Sequence, residues 1–98
     1  MYEIINSNEA KNDIANILYY SEMTFGFAQS IIYQENISQA YSKLSQMPGI
    51  GHHRKDIPAN MRSLNVEQHC IIYEVNETKR QVFIVRVLHA RMNFGELF

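Results

Sequence analysis

The hydrophobic period of this chain changes once, and the change falls at Pro48-Gly49. Before that point apolar residues recur every three to four positions, the spacing of one helix face. Beyond it they alternate, the spacing of one sheet face. A chain with its helices and strands in separate blocks has to layer one block on the other, which makes it an α+β fold.

Residues 2–5, Tyr-Glu-Ile-Ile, read as a short first strand that pairs beside a later one. Ser7 or Asn8 can cap the first helix by accepting a free N–H of its first turn, and Glu9 suits the positive end of the helix dipole. Ala10, Ile14, Ile17, Leu18 and Ser21 then share one face, and Gly26 ends the helix in a left-handed conformation. A second helix is expected over 27–46, with Tyr33, Ile37, Ala40, Tyr41 and Leu44 on its stripe and Ile31 and Ile32 broadening it. The break between the two helices is only a few residues, which favours an antiparallel hairpin.

Residues 48–60 carry two glycines and two prolines and read as a loop. Three strands follow at 61–66, 68–75 and 81–89, joined by turns short enough for hairpins. The last is apolar almost throughout, the mark of a central strand covered on both faces. The expected architecture is therefore β-α-α-β-β-β. It places a helical hairpin on a mainly antiparallel four-stranded sheet, in one domain spanning 1–98.

Composition narrows the function classes. With 46% hydrophobic and 19% charged residues the chain can build a core. Its one cysteine, Cys70, excludes an intrachain disulfide and suits a reducing cytosol. No apolar run approaches the roughly 20 residues of a membrane span. Met1–Asp13 shows no basic stretch followed by an apolar one, so a cytoplasmic protein without a signal peptide is expected. A net charge of −1 argues against strong non-specific nucleic-acid binding. The charge is uneven. Lys11 and Lys43 are the only Lys or Arg in the first fifty residues, whereas seven Lys or Arg and all four histidines follow. A polar working face therefore belongs to the C-terminal half.

Several stretches, taken in order, resemble the RelE/ParE toxin superfamily. Ala10-x-x-Asp13-Ile14-x-x-Ile17-x-x-Tyr20-Ser21, then Phe25-Gly26, is similar to its first helix and turn. Met47-Pro48-Gly49-Ile50-Gly51 resembles the stop after its second helix, and Met61-Arg62-Ser63 with His69–Val75 its central hairpin. Arg86-Val87-Leu88-His89-Ala90-Arg91-Met92-Asn93 resembles the ParE branch in particular. The resemblance implies a toxin held inactive by an antitoxin that folds on binding. In the ParE branch it implies a protein–protein inhibitor of DNA gyrase, with no cofactor and no metal. In the RelE branch it implies a metal-independent endoribonuclease that cuts messenger RNA on the ribosome.

The residues have to separate these branches, because the fold does not. RNA cleavage needs a base for the 2′-hydroxyl, an acid for the leaving oxygen and cations for the phosphorus centre. Arg62, Arg86, His89 and Arg91 are the candidates. Against this, no tyrosine follows Tyr73, the tail 92–98 is largely apolar and the chain is slightly acidic. His89 is either a general base or a structural histidine at a strand end, and the second reading is favoured. Arg86, inside an apolar strand, needs a partner, and Glu74 on the neighbouring strand is expected to supply it. His52-His53 lacks metal-ligand spacing, so residues 52–55 read as a mobile polar loop, and Cys70 as a small buried residue. The candidates for contact with antitoxin or target are Arg54, Arg62, Arg91, Met92, Phe94, Leu97 and Phe98. The last three join any uncovered tyrosines of the hairpin in an apolar patch.

Overall fold

A computed structural model describes residues 1–98. The elements are β1 (Glu3–Asn6), α1 (Asn8–Phe25), α2 (Phe27–Gln46), β2 (Met61–Val66), β3 (His69–Asn76) and β4 (Gln81–His89). Short 3-10 turns lie at Pro48–Ile50 and Phe94–Glu96. The expected order holds, and β3 runs one residue later than its alternation suggested.

Ser7 is the N-cap of α1. Its Oγ accepts the Ala10 N–H at 2.9 Å and donates to the Val85 carbonyl at 2.7 Å, so one hydroxyl starts the helix and ties it to β4. A single residue, Gly26, separates the helices. It sits at φ 98°, ψ 166°, an extended positive-φ state open essentially to glycine alone. The left-handed helical stop expected there is corrected to this conformation. The Gly26 N–H closes α1 on the Glu22 carbonyl, and its own carbonyl receives the Ser30 N–H to open α2.

The sheet order is β1-β4-β3-β2. β1 pairs parallel to β4, from Glu3↔Gln81 to Asn6↔Ile84, and the other two pairings are antiparallel. β4 is thus central, as its apolar run required. β1 stops at Asn6, which leaves the outer edge of β4 open beyond Ile84. Side chains of the α1 segment close it: Ser7 at Val85 and Asp13, whose carboxylate accepts the Val87 N–H at 2.9 Å.

Alternation along β3 and β4 feeds two cores. Ile71, Tyr73, Ile84 and Val87 meet Ala10, Ile37 and Leu44 of the hairpin. Cys70, Ile72 and Leu88 pack instead with Ile57 and Phe94 on the other face. That second core corrects one expectation. Phe94 is fully buried beneath the 48–60 loop and is not part of an exposed patch. Tyr73 anchors the turn after α2, its buried hydroxyl donating to the Pro48 carbonyl at 2.7 Å and accepting the Gly51 N–H at 2.9 Å. Gly51 has to be glycine, because a Cβ there would overlap the Tyr73 hydroxyl and lie 2.8 Å from the Ser63 carbonyl. No helix is long and apolar enough to cross a membrane.

Candidate functional site

The basic residues singled out by sequence are mostly engaged within the fold. Arg86 makes two bonds to Asp13, Nε to Oδ2 at 2.8 Å and Nη2 to Oδ1 at 2.9 Å. The expected Glu74 partner is corrected. In the β3–β4 register Arg86 faces Ile72, whereas Glu74 faces Phe83, three residues back along β4, and accepts from Asn60. Asp13 holds the Arg86 guanidinium above its ordinary pKa, chiefly through these bonds. Arg62 donates to the Gly51 carbonyl at 3.0 Å and the Gly49 carbonyl at 3.4 Å, bracing the turn that Tyr73 also holds.

Arg54 does not belong to a free polar loop. Its guanidinium grips Asp56 at 2.8 and 2.7 Å and lies 4.2 Å above the Phe94 ring centre, as a lid on the second core. Its partner's carboxyl is held below the usual carboxylate range, first by those hydrogen bonds. Arg91, Met92, Leu97 and Phe98 are exposed.

His89 accepts the Arg91 backbone N–H on Nδ1 at 3.1 Å. Its ring stands edge-on to His69, with centroids 5.2 Å apart. The Nδ1 of His69 bonds the Tyr33 hydroxyl, which also donates to the Val66 carbonyl at 3.2 Å. Burial, then the nearby His89, holds His69 below the ordinary histidine pKa and so keeps it neutral. His89 and Arg91 therefore sit together at one end of β4. Arg62 pairs with Tyr73, partway along the sheet, and is turned to the loop carbonyls. The four nuclease candidates do not converge on one point.

The uncovered apolar surface lies elsewhere, around the Gly26 turn. Tyr19, Tyr20, Met23, Phe25 and Phe27 are each more than 60% exposed, and Ile31 and Ile32 are exposed as well. Those two isoleucines do not broaden the buried stripe as expected, and only Tyr33 and Tyr41 of the four hairpin tyrosines are half-buried. Between the helices and the β2–β3 turn runs a groove of about 630 Å³. Ile17, Tyr20, Phe25, Ile32 and Tyr33 supply its apolar lining, with His69 and Glu67 at the sheet side. Sequence reasoning did not single out Glu67 or His69. The available signal was the excess of apolar residues from Tyr19 to Ile32 over what one helix stripe can bury.

Residues 4–94 match the family model for the ParE toxin of the type II toxin–antitoxin system parDE. The chain belongs to the ParE toxin family. This ParE toxin is 31% identical over 87 residues to Toxin ParE1 of Caulobacter vibrioides, an overlap covering 89% of this chain and 88% of the relative. The chromosomal ParDE system from P. aeruginosa contains a chain of the same fold, with a TM-score of 0.76 at 18% identity, covering 91% of this chain and 96% of that one. The intact RelBE complex of E. coli gives 0.66 at 16%, covering 94% and 100%. At these identities the structural likeness establishes a shared fold. The match to the ParE model runs from β1 through Phe94, so both cores lie inside it.

Proposed function

We propose that this ParE toxin acts by binding DNA gyrase, and that a cognate antitoxin neutralises it by docking on the helical hairpin. The observation that carries the reading is the family match across residues 4–94. The engagement of Arg62 and Arg86 by internal partners supports it, since a nuclease needs free cations at its phosphate site. So does the exposed apolar surface at the Gly26 turn, of the kind that marks a protein interface. The action is binding by one domain in the cytoplasm. It asks no bond-making of this chain and no metal or cofactor. Arg91, Met92, Leu97 and Phe98, exposed beyond the end of β4, form a second contact surface in this reading; Phe94 of the same segment is buried under Arg54, and Arg62 braces the turn after α2.

The test is a supercoiling and DNA-cleavage assay with purified toxin and gyrase, run with and without antitoxin. Inhibition or trapped cleaved DNA, reversed by antitoxin, is the expected result. Untouched gyrase at high toxin excess, together with ribosome-dependent messenger RNA cleavage lost in a His89→Ala/Arg91→Ala variant, would replace this reading with the endoribonuclease one.

A further inference from the structure

We propose that the groove between the hairpin and the β2–β3 turn is an anchor site for one arginine side chain of the antitoxin segment that docks there. This inference rests on the antitoxin-binding reading and names the chemistry of the contact. The argument starts from charge. Of the twelve residues lining the groove, Glu67 is the only carboxylate, and none is Lys or Arg. His69, the one lining side chain that could take up a positive charge, is held below the ordinary histidine pKa, first by burial and then by His89. The groove therefore carries one negative charge with no cation to balance it.

Glu67 is also held in place. It occupies the tight β2–β3 turn at φ 53°, and Asn36 Nδ2 donates to its Oε1 at 3.2 Å, while Oε2 has no protein partner. Its field reaches the groove wall. The Tyr33 hydroxyl is pushed up to about 12, first by burial and then by the Glu67 charge. A cation entering here meets a carboxylate at the solvent edge of a largely apolar cleft, so charge attraction and contact with the apolar lining act together.

The rest of the lining selects arginine within the cationic class. The exposed faces of Tyr20 and Phe25 suit a flat guanidinium, which stacks on aromatic rings, better than a compact ammonium. The side-chain carbonyls of Asn16 and Gln29 are acceptors for the N–H groups a carboxylate leaves unused. Ile17 and Ile32 offer apolar surface to the aliphatic stem.

The test has two arms. In the first, N-acetylarginine methylamide is titrated into the toxin and followed by NMR, with the citrulline analogue as a neutral isostere. Saturable shifts of the Tyr33 and His69 ring signals with arginine only, lost in Glu67→Gln, are expected. Gln keeps the acceptor for Asn36 and has similar backbone preferences, so the fold is retained, and Glu3→Gln at the far end of the sheet serves as a charge control. Equal shifts from citrulline, no shifts at all, or shifts indifferent to Glu67→Gln would each overturn the proposal.

In the second arm, cognate antitoxin is titrated into both toxins. Glu67→Gln is expected to weaken binding about tenfold, with a shallower salt dependence than the parent. Unchanged affinity and salt dependence would overturn the assignment to the antitoxin. Antitoxin that binds neither toxin, beside a positive first arm, would sink the proposed function and leave arginine recognition by the groove standing.

Discussion

Removing the hydroxyl of Tyr73 tests how the turn after α2 is held. Tyr73→Phe keeps the ring in the main core, where the residue is fully buried, so packing hardly changes. Two bonds are lost, to the Pro48 carbonyl and from the Gly51 N–H. Gly51 is buried, and an unpaired buried N–H costs about 1–3 kcal/mol. The Pro48 carbonyl is half-buried and forfeits an ordinary bond, about 1 kcal/mol. The expected loss is about 2–4 kcal/mol. For a chain of 98 residues that lowers Tm by about 10–25 °C. Urea denaturation followed by far-ultraviolet circular dichroism measures it, and the slope against urea should stay the same. A loss under about 0.5 kcal/mol would refute the argument, since it would show that the turn keeps its bonds without the hydroxyl.

Asp13→Ala should cost about 2–3 kcal/mol, because it strands both Arg86 and the Val87 N–H in a partly screened site. Adding Arg86→Met should recover part of that, and additive losses in the urea double-mutant cycle would contradict the coupling. Gly26→Ala should destabilise by about 1–3 kcal/mol through backbone conformation alone, because a Cβ there meets open space; an unchanged melting curve would refute this. His69 is held below the ordinary histidine pKa, so the unfolded chain binds its proton more readily, and stability should fall as pH drops below about 6.5. Urea midpoints for the parent and His69→Gln at about pH 5 and about pH 7.5 check the sign, and the variant should show the smaller difference.

The element order and the central place of β4 were legible because both follow from local periodicity. Val82, Ile84, Val87 and Leu88 are apolar and all buried, and a strand covered on both faces has to be so. The partner of Arg86 was not legible. Alternation along β3 and β4 offers Glu74, but the register sets Ile72 opposite Arg86, and β1 ends early enough for α1 to reach the strand edge. Both are properties of the assembled sheet. Phe94 was misread for a similar reason. An aromatic after the last strand carries no sign that a loop about forty residues earlier will build a second core over it with Ile57 and Arg54. Glu67 was passed over because a charged residue in a tight turn is ordinarily solvated. Its place in the groove depends on where the hairpin lies.

The insertion of β4 between β1 and β3 also sets an order of events during synthesis. β1 is made well before its only strand partner, which begins at Gln81. At about 5–20 residues per second, the ribosome needs roughly 4–16 s to travel from one to the other. Until then Ser7 has no Val85 to bind, Asp13 has no Arg86 and neither core can close. A chain interrupted before β4 therefore lacks the strand that joins β1 to β3. The finished surface, and any activity that depends on it, appears only after β4 has been made.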